Sequence, residues 1–415
     1  MGNTGNTRLT TLTTVNAAPV LNQIISVATG QKPDDIGYNM SELISIGTIG
    51  LKHGYNEFVT AMSQVMMNTI FKPERPYKRK FNRMVRTSER WGDHYRKVTM
   101  LSRDLIGDGQ WSEESWEKDN MFNAAPVDGV MQFNYYGKDV FEIPYKIYKN
   151  QLDNAMTSEA NFNSYYRMQL QTVNNDWEQA IENYNRVARN NFIIGVLDEG
   201  GEHQKINLLK LYNEKNGTSL KIADVYKKDN YTDFVRFAYG TIKTYMEYMT
   251  ERTVYFHTPF VDEGTGEILD LRRATPKEYM NLHILTNEYE QINARVLSET
   301  FNEKYLDTDL FERVNFWESL SEPDIIHAGG TCLRPNQAGK SIQPEAHAKQ
   351  HIFAFLYDDE CIGTNTFDEW SATSPLEAHR GYWNNYIHAQ VRYWNSFEDN
   401  AVVFYLEDDD NRNER

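Results

Sequence analysis

An α+β fold is predicted for this chain by three observations. A helix-period segment runs from about Ser158 to Leu197, two strand-like runs at 84–101 and 132–148 precede it, and strands return from Ile352 onward. With 415 residues there is length for two or three domains.

Residues 1–36 are rich in Thr, Asn and Gly around one short apolar run, Val20–Val27. Such a composition buries too little surface to order itself. An arm that orders against a neighbour and a disordered terminus both fit it. Residues 41–70 carry Leu43, Ile46, Phe58, Met62 and Met66 near helical spacing. From Phe71 to Arg103 the charge balance inverts, with eleven Lys and Arg against Glu74, Glu89 and Asp93. Regularly spaced stacking aromatics are missing there, so a basic surface that meets acidic surfaces of sister subunits is preferred over a nucleic-acid patch.

The run 84–101 has strand character through Val85, Trp91, Tyr95, Val98 and Met100; the run 132–148 has it through Phe133, Tyr135, Val140, Ile143, Tyr145 and Ile147. Pro144 lacks a backbone donor and demotes the second run to an edge or bulged strand. The two runs enclose a polar insert with Trp111 and Trp116, which predicts a projecting hairpin. An isolated hairpin is marginal in water, so this one needs a surface to lie on.

The Ser158–Leu197 helix has Ser158 as N-cap and Gly200-Gly201 as its stop. Its apolar stripe is Tyr166, Leu170, Val173, Trp177, Ala180, Ile181, Tyr184, Val187, Ala188 and Phe192, too aromatic for a regular coiled-coil seam. Such a helix would extend roughly 60 Å. Downstream, a helix is expected at 232–251, a strand at Thr253–His257, a turn at 262–266, a strand at Leu282–Leu285 and a helix at 287–305. A Gly/Pro-rich loop at 328–348 follows. Strands are expected at Ile352–Tyr357, Cys361–Phe367, Tyr382–Trp394 and Ala401–Leu406, before the acidic tail Glu407–Asp410.

The net charge of −16 argues against duplex-DNA binding by the whole protein and suits a wall that encloses nucleic acid without adhering to it. The 26 Tyr, 20 Phe and 8 Trp suit surfaces buried only on association, or a Tyr-rich solvated surface. Two cysteines, Cys332 and Cys361, make no disulfide framework and fit a reducing cytoplasm. No secretory signal, myristoylation pattern or membrane span is read.

Chemistry is hard to find. Gly339-Lys340-Ser341 ends like a phosphate loop but has Arg334 where the first Gly belongs. His347 and His351 are four apart, with Ala348 where a zinc enzyme carries Glu. Asp358-Asp359-Glu360 reads as a hairpin turn rather than an acid–base pair. No catalytic, cofactor-binding or metal-binding residue is predicted; the chain reads as a structural subunit, not an enzyme. A cytoplasmic α/β enzyme acting on a sugar or nucleotide is the alternative.

Arm, hairpin, long helix, mixed middle and returning strands, in that order, resemble the major capsid proteins of tailed bacteriophages with the Hong Kong 97 (HK97-like) fold. The resemblance is carried by Ile352–Tyr357, Asp359-Glu360-Cys361-Ile362-Gly363, the run Trp370 to Ala378 around Thr373-Ser374-Pro375, and Gly381-Tyr382-Trp383-Asn384. Phe122-Asn123-Ala124-Ala125-Pro126 and Phe141-Glu142-Ile143-Pro144-Tyr145 add to it. It implies 1–83 as N-terminal arm and linker, 84–152 as the E-loop hairpin and 153–215 as the peripheral (P) domain with its spine helix. It further implies 216–380 as the axial (A) domain and 381–415 as the P-domain return strands and acidic tail. The implied function is a major capsid protein that self-assembles into hexamers and pentamers of an icosahedral head, in the virion, after assembly in the host cytoplasm. Implied partners are other copies of itself, a separate scaffolding protein (the stretch before the hairpin is too short for a fused one) and a portal protein, around double-stranded DNA, with no membrane. A portal or tail protein is a further alternative. Lys97 and Asn385 lie where some relatives crosslink, but spacing does not pair them and no crosslink is predicted.

Overall fold

The structure, a computed structural model, describes residues 85–86, 94–102, 129–136, 139–155, 159–260, 268–292, 311–327, 334–335, 341–342, 348–349 and 351–408. The expectations for 1–83, for the 262–266 turn and for Ser158 as a cap lie outside the described residues.

The first strand-like run contains two elements, β1 (Val85–Arg86) and β2 (His94–Met100). The second is also two strands, β3 (Val130–Tyr136) and β4 (Asp139–Tyr148), and they go to different sheets. Among the described residues β2 and β3 pair only with each other, antiparallel, with His94 opposite Tyr136 and Met100 opposite Val130. β4 lies at the edge of a four-stranded sheet, and this seats Pro144 without breaking a central ladder.

After a short helix α1 (Lys149–Ala155), the long helix α2 runs from Glu159 to Glu199, 41 residues or about 60 Å. Val173, Trp177, Ile181, Ala188 and Phe192 are buried as the stripe predicts, while Val187 is 46% exposed. The helix also buries Glu178, Glu182, Asn185, Arg189, Asn190 and Asn191, which periodicity alone does not anticipate. The reason is tertiary: from Ala188 to Val196 every residue is buried, because this end of α2 packs on more than one side.

β5 (Lys205–Asn207), α3 (Leu208–Asn216), α4 (Ile222–Val225) and α5 (Lys228–Tyr248) follow. Asn207 caps α3 by accepting from the N–H groups of Leu209 and Lys210, and Gly217 ends it at φ 63°, a left-handed conformation that glycine adopts without a Cβ penalty. Thr253–His257 is not a strand, contrary to expectation. Thr253 bridges Arg273, Phe256 O accepts from Ala401 N, and Thr258 N donates to Phe397 O, so its hydrogen bonds go to separate segments and no ladder forms.

β6 (Met280–Leu285) leads into α6 (Thr286–Ile292); the rest of the helix expected to 305 lies outside the described residues. β7 (Phe311–Val314) comes next. Around the loop 328–348, β8 (Ile326–His327) pairs with β11 (Ala348–Lys349), and within it β9 (Arg334–Pro335) pairs with β10 (Ser341–Ile342), two residues each. β12 (Ile352–Asp358), β13 (Ile362–Thr373), β14 (Tyr382–Asn395) and β15 (Ala401–Tyr405) complete the chain.

Two sheets result. The five-stranded one has the order β5-β15-β12-β6-β7, with β5–β15 and β6–β7 parallel and the central pairings antiparallel. β12 is at its centre, so its unbroken apolar run Ile352–Tyr357 is buried on both faces. One face carries α3, α5 and α6 through Phe234, Val235, Ile242, Leu282, Leu356 and Phe404. The other receives the end of α2 through Phe192, Trp317, Phe355, Tyr357 and Val403. The four-stranded sheet, β1-β13-β14-β4, packs Phe141, Ile143, Ala389 and Val391 against Trp177 and Ile181 of α2.

The expected hairpin turn at Asp358–Glu360 is a turn, but its two strands do not pair with each other. β12 joins the five-stranded sheet and β13 the four-stranded one. The division expected at residue 380 therefore does not follow the sheets. β13 pairs with β14 over eleven residue pairs on the α2 side, whereas β15 pairs with β12 on the other.

Candidate assembly site at the junction of the sheets

Besides the passage through α1 and α2 from β4 to β5, two short segments cross between the sheets, at 359–361 and at 396–400, and these two are bonded together. Asp358 N donates to Asn400 O (2.9 Å), Ser396 N to Cys361 O (2.7 Å), and Cys361 Sγ to Asn400 O (3.4 Å). Thr275 Oγ1 donates to Asp358 Oδ2 (2.7 Å) and accepts from Asn400 Nδ2 (3.2 Å). Burial pushes the Asp358 carboxyl up and the Cys361 thiol well up, so Cys361 is a packed, unreactive group.

The β2–β3 ladder leans on this junction. Its inner face presents Lys97, Thr99, Phe133 and Tyr135; its outer face leaves Val98, Met100 and Val130 each more than half exposed. Phe133 meets Phe260 edge-on at 5.3 Å, and Ser102 N donates to Asp270 O at 2.8 Å. Four further bonds at this face meet on Glu398, which is fully buried. Its Oε1 accepts from Lys97 Nζ (3.0 Å) and Ser396 Oγ (3.4 Å). Its Oε2 accepts from Thr99 Oγ1 (3.2 Å) and Arg273 Nη2 (3.3 Å). Lys97 also pairs with Asp399. Burial by itself would lower the Lys97 ammonium, but Asp399 and Glu398 outweigh it and hold the group above its ordinary value. Of the basic segment, Lys97 thus meets an acidic pair of its own chain.

A second exposed apolar surface is the face of the four-stranded sheet turned away from α2. Trp370 stacks on His388 at 4.9 Å, Tyr148 meets Tyr382 edge-on at 5.7 Å, and Lys146 lies 4.8 Å over the Tyr382 ring. Val140 is 53% exposed on the same face.

Among the described residues, those weighed for chemistry form no common site. His351 Nδ1 contacts Asp324 Oδ2 at 2.8 Å, while His347, Gly339, Lys340 and Cys332 lie outside the described residues. Asn385 is buried and accepts from Thr373 Oγ1 (2.8 Å). Among the described residues no group of three or more His, Cys, Asp or Glu is placed to hold a metal ion, and no helix is long and apolar enough to cross a membrane. Sequence reasoning missed Glu398, Asp399 and Arg273. The one signal was the polar Glu-Asp-Asn of 398–400 between two apolar strands, indistinguishable from an ordinary turn.

A long helix shared by two sheets, with a two-stranded ladder at their junction and aromatic faces left in water, defines a subunit of the HK97-like capsid fold. The chain belongs to the Phi29-like phage major capsid protein family, whose sequence profile matches residues 22–405. It is similar to a chain in the capsid structure of Staphylococcus phage Andhra, with 9% identity and TM-score 0.50, over 81% of this chain and 88% of that one. It is also similar to a chain in the structure of the head fibre and inner core protein gp22 of native bacteriophage P68, with 11% identity and TM-score 0.51, over 81% and 89%. No curated protein sequence matches. The protein is a structural component of a phage head shell and of the virion, and it self-assembles.

Proposed function

We propose that the subunit forms hexamers and pentamers that close an icosahedral head around double-stranded DNA without sequence-specific contacts, and that its role is wholly structural. The observation that carries this reading is the exposed apolar surface on both the ladder and the four-stranded sheet, which a lone subunit leaves unburied. In this reading α2 with the four-stranded sheet is the P domain, and the five-stranded sheet with α3 and α5 is the A domain, its 328–348 loop facing the capsomer axis. The ladder is the stem of the E-loop, and 103–128 lie over a neighbouring subunit. The arm 1–36 reaches another neighbour. Arm and hairpin together take the contact past the roughly 2,000 Å² at which obligate interfaces begin. The net charge of −16 keeps the inner wall from binding DNA tightly. A separate scaffolding protein guides closure in the host cytoplasm, and a portal protein supplies the DNA entrance.

Negative-stain microscopy of the purified protein tests this reading. Shells or capsomers are expected; twelvefold rings would indicate a portal, and a small featureless oligomer would overturn the assignment. Deleting residues 1–36 is expected to leave a soluble subunit that forms no stable shell. Particles of normal size and stability from that deletion would refute the role of the arm.

A further inference from the structure

We propose that Glu398 is a positioning residue that fixes the direction in which the β2–β3 ladder leaves the body of the subunit. The consequence for assembly rests on the capsid reading above; the positioning itself does not.

The other ties of the ladder do not meet at one group as those to Glu398 do. Two strands alone are marginal in water, and this pair turns Val98, Met100 and Val130 outward. Apart from Glu398, its ties include Phe133 against Phe260, Tyr135 and Lys97 with Ser396, Lys97 with Asp399, and Ser102, whose N donates to Asp270 O and whose Oγ accepts from Arg252 Nη2 and Arg272 N. A greasy contact tolerates sliding, whereas hydrogen bonds to a buried carboxylate fix both distance and angle. Glu398 accepts four such bonds from three segments: Lys97 and Thr99 of β2, Arg273 of the stretch between α5 and β6, and Ser396 of its own turn. Two cations, Lys97 and Arg273, face two anions, Glu398 and Asp399, so the cluster is charge-balanced while shut.

Its location gives the cluster leverage. Glu398 sits in the 396–400 crossing that joins β14 of one sheet to β15 of the other. Thr99 is tied to Arg273 as well (2.9 Å), and Arg273 is tied through Thr253 to the end of α5. The ladder is thereby referenced to both sheets at one atom group. A buried ion cluster of this kind adds more to geometric uniqueness than to net stability, while removal of one partner strands the others. In a shell, the direction of the ladder decides where residues 103–128 arrive on the next subunit.

The test is hydrogen exchange on the full-length subunit below its assembly concentration. Glu398→Gln and Lys97→Met are expected to speed exchange in 94–100 and 130–136 by at least about tenfold, with 352–358 and 401–405 left within about twofold of wild type. The conservative variant Lys97→Arg keeps a cation between Glu398 and Asp399 and is expected to retain most of the protection that Lys97→Met loses. Ladder protection unchanged in both Glu398→Gln and Lys97→Met would overturn the proposal. Equal loss in ladder and central sheet would also overturn it, since Glu398 would then be a general stabiliser. If Glu398→Gln does not fold, Lys97→Met carries the test, because that side chain is partly exposed. Microscopy of the same variants separates the two claims: a freed ladder with normal shells leaves the positioning role standing and refutes its importance for assembly.

Discussion

Gly195 lies near the C-terminal end of α2, where helix propensity alone makes Ala the better residue by about 0.8–1.0 kcal/mol. The structure reverses that sign. A Cβ added at Gly195 would lie 2.6 Å from Cζ and 2.7 Å from Cε1 of Phe397. Phe397 cannot easily withdraw, because its ring stacks on Phe192 at 4.7 Å with 10° between planes, and both are buried in the core between α2 and the five-stranded sheet. Overpacking of this kind costs about 1–3 kcal/mol. With the propensity gain of about 1 kcal/mol set against it, and little room for relief, Gly195→Ala is expected to destabilise by about 1–2 kcal/mol. Gly240 in α5 is the control: a Cβ there meets nothing within 4 Å, so Gly240→Ala should stabilise by about 0.8–1.0 kcal/mol. Urea denaturation of the unassembled subunit, followed by far-ultraviolet circular dichroism, reads both as shifts of midpoint. Adding Phe397→Leu to Gly195→Ala should relieve the clash, with a coupling of about 0.5 kcal/mol or more between the two sites. A midpoint that rises for Gly195→Ala as it does for Gly240→Ala would refute the packing of α2 against the 396–400 crossing.

Two further predictions concern other parts of the core. His283 is buried in β6, with its Nε2 2.8 Å from Glu312 Oε2 and 3.0 Å from Tyr357 Oη, and burial lowers its imidazole below the ordinary 6.5. The unfolded chain then takes up the proton first, so this contribution to stability is full above pH 6.5 and is lost as pH falls below that value. Burial raises the carboxyls of Glu288 and Asp358, which gives the opposite slope. The His283 share is therefore the difference between wild type and His283→Gln: the variant should lose less stability between pH 7 and 5, and parallel curves would refute it. Asn207→Ala removes the cap of α3 and a hydrogen bond from Asn207 Nδ2 to Glu407 O (2.8 Å), and should cost about 1 kcal/mol in the same denaturation assay.

What the sequence by itself determined were the elements whose signal is local. The α2 stripe through Val173, Trp177, Ile181 and Phe192, the buried run of β12 and the edge character that Pro144 imposes on β4 follow from side-chain period and from one missing N–H. These depend on neighbours a few residues away, which a sequence displays directly. Tertiary structure alone decided which strands share a sheet. Tyr136 and Asp139, three positions apart, belong to different sheets, and the Asp358–Glu360 turn parts β12 from β13 instead of pairing them. Period-two alternation states which face of a strand is apolar, not which partner that strand takes. The same limit hid Glu398. Its four donors come from residues up to about 300 positions away, and a carboxylate in a short turn reads as solvated until the fold removes the solvent around it.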